Sequence, residues 1–375
     1  MVPTLDCIVI GAGPAGATVA HHLAGFGRGV LLLDRARLPR TKPCGGGVPP
    51  QTARWLGFDL SPAVSARVTR MRVTWRLGDP VEGDLETREP LLMVRRDLFD
   101  HFLVRRAADQ GALVRDGTAW TALRPDREGW TVELAEGPPL RARYLVAADG
   151  ALGRAPRSLG FPPLKHAVAG ALEGETPWAM TDTATAHLDF GTISRGYLWN
   201  FPKAEGWSLG GGVFRGSARV DLRGVVDQYA LAFGLAREDL RVAAHPLHLW
   251  DGRQDLHGHR SLLAGEAACL VDPFTGVGIL PAVMSGVLAA QAVHAALAAG
   301  PEALSGYTRE VHRHWGREMV WARRLARAFY RAPALAYRLA VKQEGAIGSI
   351  GRVLCGEGSY AALAQRAIPR LLGAG

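Results

Sequence analysis

The chain has 375 residues, 48% of them hydrophobic and 21% charged, with a formal net charge of +9. It is long enough for about two domains at roughly 150 residues each, and too apolar to stay disordered. Cys7, Cys44, Cys269 and Cys355 are scattered and form no CxxC pair, which excludes a disulfide framework and a zinc or iron–sulfur centre and makes a reducing cytosol the expected compartment.

The start, MVPTLDCIVI, carries Asp6 and no basic residue ahead of its apolar run, so it does not read as a signal peptide. Residues 5–10 instead predict a buried parallel strand. A helix is expected from about 14 to 25, then a second strand at 29–33 closing on Asp34. Helical spacing returns at 97–110, with Leu98, Phe102 and Leu103 apolar, and strands are expected at 112–115, 130–134 and 143–147. Residues 165–255 are richer in alternating and aromatic strand patterns. A strand at 261–265 leads into the uncharged run 273–301. That run contains Pro273, Gly276, Gly278, Pro281, Gln291 and His294, and reads as a buried helix rather than a membrane span. From 303 onward the chain is helical, with Trp315, Met319, Ala322, Leu325 and Phe329 at helical intervals.

Between the first strand and helix lies Gly11-Ala12-Gly13-Pro14-Ala15-Gly16. In that setting Gly11 permits a tight turn, Gly13 lets backbone approach a diphosphate, and Gly16 lets helix and strand pack closely. The N–H groups opening the helix then meet the phosphate charge. Asp34, eighteen residues after Gly16, is placed to hydrogen-bond a ribose hydroxyl. A dinucleotide is therefore expected here.

Three later segments choose among dinucleotides: LLMVRRDLFD at 91–100, RYLVAADG at 143–150 and AGEAACLVDPFTGVGI at 264–279. In this order they resemble the FAD-dependent reductases and hydroxylases built on the p-hydroxybenzoate hydroxylase plan. The resemblance implies Arg96 near the flavin diphosphate, Gly265-Glu266 near the ribityl chain, and Gly276-Val277-Gly278 at the flavin ring. A helix N-terminus there would stabilise negative charge on reduced flavin. It also assigns Arg35, Asp149, Gly150, Asp272 and Ile279 to the cofactor set, together with Cys44, Gly45 and Gly46 of the loop after the second strand. Glu266 departs from the Gly-Asp usual in these proteins.

Two further segments narrow the resemblance. Residues 42–47 read Lys-Pro-Cys-Gly-Gly-Gly, and 197–212 read YLWNFPKAEGWSLGGG, in which Tyr197-x-Trp199-x-Phe201-Pro202 precedes Gly210-x-Gly212. With the flavin motifs these are similar to the geranylgeranyl reductase family, flavoproteins that saturate isolated double bonds of polyprenyl chains. The residues agree with it. Alternation puts Tyr197, Trp199 and Phe201 on one strand face, where an aromatic surface opposite a flavin can hold an apolar chain. Gly210 and Gly212 are expected to leave room for a long, thin ligand. The competing use of such a strip is an aromatic core.

The resemblance implies an α/β protein. A discontinuous Rossmann-like FAD domain (1–60, 91–160 and 256–300) would stand beside an antiparallel substrate sheet (61–90 and 161–255) and a C-terminal helical region (301–375). The expected substrate is a polyprenyl lipid, isoprenoid quinone or prenyl diphosphate. Saturating an alkene needs hydride at one carbon and a proton at the other, in a dry pocket. Cys44 and Tyr197 are the candidate proton sources, with Trp199 beside them; a small apolar filler is the other reading of Cys44. No second GxGxxG exists, so NAD(P)H would dock transiently or a reduced ferredoxin-like protein would deliver electrons. Alternatives on the same fold are a flavin monooxygenase or halogenase, or a non-catalytic FAD- or lipid-binding protein. No metal and no nucleic acid are expected. Residues 311–342 hold eight Arg or Lys against Glu318 alone, which suits peripheral contact with the inner face of the cytoplasmic membrane.

Overall fold

The structure is a computed structural model that describes residues 4–163, 168–176, 181–214, 220–252 and 255–371. The strand Thr4–Ile10, the helix Pro14–Gly25 and the strand Val30–Leu33 form within a residue or so of the sequence expectation. Thr4–Ile10 lies at the centre of an eight-stranded sheet. It pairs in parallel with Val30–Leu33 on one side and Leu140–Ala147 on the other. Ser261–Leu263 extends the sheet in parallel beyond Leu140–Ala147, so segments far apart in sequence share one layer. Cys7, Ile8, Val9 and Leu32 are fully buried, as a parallel strand covered on both faces requires.

The uncharged run forms the helix Ile279–Ala299, starting six residues after the run begins. By length and composition it could cross a membrane, but Val283, Ala289, Ala290 and Val293 are completely buried and it packs against Pro14–Gly25. Gly286 permits that contact. A Cβ there would lie 2.7 Å from the Ala15 carbonyl oxygen and 2.9 Å from Thr18.

A second, seven-stranded sheet contains Val168–Glu175, Thr185–Phe190, Gly196–Lys203, Gly206–Val213 and Arg241–His248. Arg70–Trp75 and Gly78–Asp84 complete it. It departs from the expected antiparallel sheet at one place: Thr185–Phe190 runs parallel to Arg70–Trp75, because the chain crosses over the other sheet between them. The C-terminal helices close the far side. In Arg317–Arg331 the buried residues include Met319, Ala322, Leu325 and Phe329, while Arg317, Arg324, Arg327 and Arg331 face outward.

Candidate active site

A cavity of about 450 Å³ lies between the two sheets and the C-terminal helices. Gly13, Pro14 and Ala15 line one end, where no side chain caps the helix Pro14–Gly25. Gly276, Val277, Gly278 and Ile279 line it at the start of Ile279–Ala299, which also lacks a side-chain cap. Two helix N-termini, each with unpartnered N–H groups and a positive dipole end, therefore open on one space.

The glycines of the first turn do different work. Gly11 has φ +102° and packs on the Ala148–Asp149 backbone, where a Cβ would come within 2.8 Å of the Asp149 Cα. A Cβ on Gly16 would collide with the Gly11 carbonyl oxygen. Over Gly13 the nearest atom is Arg40 Nη2, 3.8 Å from an added Cβ, so that stretch of backbone is open to a ligand. Asp34 already accepts the Ala12 N–H at 2.7 Å and the Ala36 N–H at 2.8 Å, so it braces the turn. Arg40, which sequence reasoning missed, bridges Asp34 at 3.6 Å and Asp100 at 3.1 Å. Arg96 is buried and grips Asp100 through two hydrogen bonds of 2.8 Å. It lines the cavity and also meets the Cys44 thiol. The only sequence signal for the Asp100 partnership is its i,i+4 spacing from Arg96.

Glu266 lines the cavity between two residues absent from the expected set. Lys42 Nζ lies 3.4 Å and His245 Nε2 3.2 Å from its Oε2, while Oε1 is buried with no partner. Burial alone would raise its pKa, but the His245 hydrogen bond and the Lys42 charge hold it at about 2. The carboxylate thereby ties this turn to His245 on the other sheet.

Several expected cofactor residues act behind the wall rather than on it. Gly265 packs its backbone on Ala15 and donates to Ser285 Oγ at 2.9 Å. Asp272 is buried inside its own loop, accepting N–H groups of Phe274 (2.7 Å) and Thr275 (3.1 Å) and the Tyr360 hydroxyl (2.5 Å). Asp149 caps the turn at Ala155 (2.9 Å), Arg35 is exposed, and of the pair 149–150 only Gly150 lines the cavity.

Tyr197, Trp199 and Phe201 lie together on the cavity face of Gly196–Lys203, as alternation demands. Tyr197 stacks on Phe214 at 4.9 Å and donates its hydroxyl to the Thr275 carbonyl; burial pushes its pKa well up. The Trp199 Nε1–H is buried without a partner. Gly210 and Gly212 do not line the cavity, which corrects the expectation that they leave space for a ligand. An added Cβ on Gly210 would sit 2.5 Å from the Trp199 ring, and one on Gly212 3.0 Å from Phe214. The space they free is filled by aromatic rings of their own sheet.

The loop at 43–47 presses against that strip. An added Cβ on Gly45 would meet the Phe201 ring at 2.9 Å, and one on Gly46, whose φ is +74°, would strike Val94 and Lys203. Half-buried Cys44 lines the cavity, its Sγ 3.4 Å from the Gly46 amide. Lys203 is buried and donates to the carbonyls of Gly45 (2.7 Å) and Val94 (2.8 Å), with burial lowering its pKa. Glu173 also lines the cavity, buried, with Ser208 Oγ at 2.5 Å, and burial raises its pKa.

With this geometry in view, the comparisons with known proteins are decisive. An FAD binding domain model matches residues 4–196. A geranylgeranyl diphosphate reductase of Rhodobacter capsulatus is 32% identical over 80% of this chain and 77% of its own. The chain belongs to the geranylgeranyl reductase family of FAD-dependent oxidoreductases. A menaquinone reductase of Mycobacterium tuberculosis is 31% identical over 76% of each chain. Among solved structures, a geranylgeranyl bacteriochlorophyll reductase-like protein of Thermoplasma acidophilum superposes with TM-score 0.81. It is 20% identical and covers 99% of this chain and 98% of its own, which speaks to the fold. A flavin-dependent brominase shares that fold too, at TM-score 0.73 and 19% identity, with 97% and 98% covered.

Proposed function

We propose that this family member saturates carbon–carbon double bonds of a polyprenyl chain carried by a lipid, a quinone or a diphosphate. The observation that carries the reading is the cavity's course. It runs from the two uncapped helix N-termini, past the aromatic strip, to Leu325, Phe329, Val341 and Ile350 of the C-terminal helices. Its wall is mostly apolar, suited to a long hydrocarbon and to keeping water from the chemistry.

The residues present fit FAD. The open backbone over Gly13 and the N–H groups of Ala15 and Gly16 would receive the diphosphate, with Arg40 at the edge of that stretch. The unpartnered Glu266 Oε1 would accept a hydroxyl, and the helix start at Gly278–Ile279 would face the anionic part of the ring. Reduced FAD supplies the hydride. The chain's own residues then hold the alkene against the strip of Tyr197, Trp199 and Phe201, exclude water, and deliver a proton.

The test is anaerobic incubation of flavin-loaded protein with dithionite and a panel of geranylgeranyl diphosphate, menaquinone and a geranylgeranylated phospholipid. Mass gains in steps of two hydrogens are expected, and the responding head group identifies the carrier. Oxygen consumption linked to NADPH, with no saturated lipid, would instead place the protein with the oxygen-using flavoenzymes of this fold. Stopped-flow reduction by NAD(P)H or by reduced ferredoxin distinguishes the two donor classes.

A polyprenyl substrate partitions into bilayers, and the outward Arg317, Arg324, Arg327 and Arg331 form a basic face on a helix that lines the cavity. Peripheral membrane contact at the cytoplasmic face is part of the proposal. Replacing Arg324, Arg327 and Arg331 with Gln should lower co-sedimentation with phosphatidylserine vesicles, at about 1 kcal/mol per arginine.

A further inference from the structure

The substrate sheet presents an almost wholly apolar face to the cavity. Cross-strand neighbours share a face, so its rows can be read from the register. One row runs Val73, Leu188, Trp199, Gly210, Glu173: Val73 lies opposite Leu188, Leu188 opposite Trp199, Trp199 opposite Gly210, and Gly210 opposite Glu173. The Trp199 ring leans across the bare Gly210 position towards Glu173. A carboxyl thus interrupts a row of otherwise apolar positions, with Ala243 opposite it on the far side, only 4% exposed and with the Ser208 hydroxyl 2.5 Å from one oxygen.

An ion pair does not account for it. Among the described residues no Lys or Arg nitrogen is recorded within 4.0 Å of Glu173. The buried cations nearby are otherwise engaged, Arg96 by Asp100 and Lys203 by two backbone carbonyls. Burial is the largest influence on Glu173 and opposes the carboxylate, as does Glu175 on the same strand, while the Ser208 hydrogen bond and the charges of Lys203 and Arg96 favour it. His245, on the neighbouring strand opposite Ala171, faces the same cavity but is hydrogen-bonded to Glu266. Glu173 is thus a buried acid that lines the cavity, pushed by burial towards its proton-bearing form, with cations beyond contact distance that favour its anion.

We propose, resting on the reductase reading above, that Glu173 is the acid that protonates the alkene. The balance is simple. The π bond breaks, one carbon takes hydride with its electron pair from the reduced flavin, and the other bonds the Glu173 proton. The products are a saturated C–C bond, oxidised flavin and a Glu173 carboxylate. The negative charge of reduced flavin has in effect moved to Glu173, beside Lys203 and Arg96, and solvent reprotonates it when product leaves. Tyr197 is a poor rival because its hydroxyl already donates to Thr275.

The experiment compares wild type, Glu173→Gln, Glu173→Asp and Cys44→Ser as FAD-loaded proteins, with the lipid that wild type reduces. Glu173→Gln should bind FAD and be reduced by dithionite at the wild-type rate, yet be reoxidised by the lipid at least about a hundredfold more slowly. Glu173→Asp should recover part of the rate, whereas a hundredfold loss in Cys44→Ser with Glu173→Gln little affected would assign the proton to Cys44 instead and overturn the proposal. Infrared titration of the wild-type holoprotein supplies a readout free of turnover and of any folding defect in a variant. It should show a protonated carboxyl band surviving above pH 6, absent from Glu173→Gln. Wild-type reduction with Glu173→Gln within threefold, or no such band, overturns the proposal alone. Wild type inert towards every lipid overturns the reductase reading, and the proton assignment with it.

Discussion

Two carboxylates of the nucleotide half and one of the substrate sheet are buried in opposite ways. On the nucleotide side Asp100 is held in contact by Arg96 and Arg40, and Glu266 by Lys42 and His245. On the substrate side Glu173 has a hydroxyl neighbour and only more distant cations. Close pairing fixes a charge, as a rigid cradle for an anionic cofactor requires. Loose pairing leaves an acid free to change its charge.

That contrast can be broken at several points. The largest effect should come from Gly16→Val, which drives a branched side chain into the Gly11 carbonyl and the Val9 side chain. The expected outcome is protein purified without flavin, read from the ratio of visible to ultraviolet absorbance. Next is Arg96→Ala, which strips the bidentate partner from buried Asp100. It should destabilise by about 3 kcal/mol in denaturant unfolding. The double change Arg96→Met with Asp100→Leu should recover most of that, since no unpaired charge remains. Gly210→Ala should cost about 1–3 kcal/mol by overpacking against Trp199 and the Leu172 carbonyl. It should also shift the tryptophan fluorescence while flavin content stays full.

The smallest and most diagnostic difference is in pH dependence. Glu266 is held at about 2, below its unfolded value of about 4.3, so its contribution to stability is present above 4.3 and is lost as pH falls towards 2. Glu173 is shifted upward, so the folded protein binds its proton more tightly than the unfolded chain does. Wild type should therefore lose stability relative to Glu173→Gln as pH rises from about 4.3 through the folded value. Thermal melts of wild type, Glu266→Gln and Glu173→Gln across pH should give difference curves of opposite slope. Parallel curves would remove the contrast between the two halves.

The nucleotide half was legible because its information is local. Gly11, Gly13 and Gly16 sit in one turn between one strand and one helix, and their spacing alone dictates turn, open backbone and close packing. The aromatic strip was legible for the same reason, since alternation places Tyr197, Trp199 and Phe201 on a common face. Arg40, Lys42, His245, Lys203 and Glu173 were not, because each acquires its role from partners brought near by strand pairing. A faint signal existed for Glu173, which continues the alternating positions Ala169 and Ala171 with an acid where a small apolar residue belongs. Gly210 and Gly212 were found but misassigned. A glycine's empty side-chain position does not disclose whether a ligand or a neighbouring ring will occupy it.

The hydrogen bond from Tyr360 to Asp272 has a consequence for the order in which the protein is made. Asp272 shapes the turn that carries Gly276–Gly278, yet its phenolic partner lies far downstream at Tyr360. During synthesis that turn must wait for Tyr360 to be made and packed before this restraint arrives. A change that dislodges Tyr360 therefore acts on a loop nearly a hundred residues upstream, and flavin retention is where such an effect would surface.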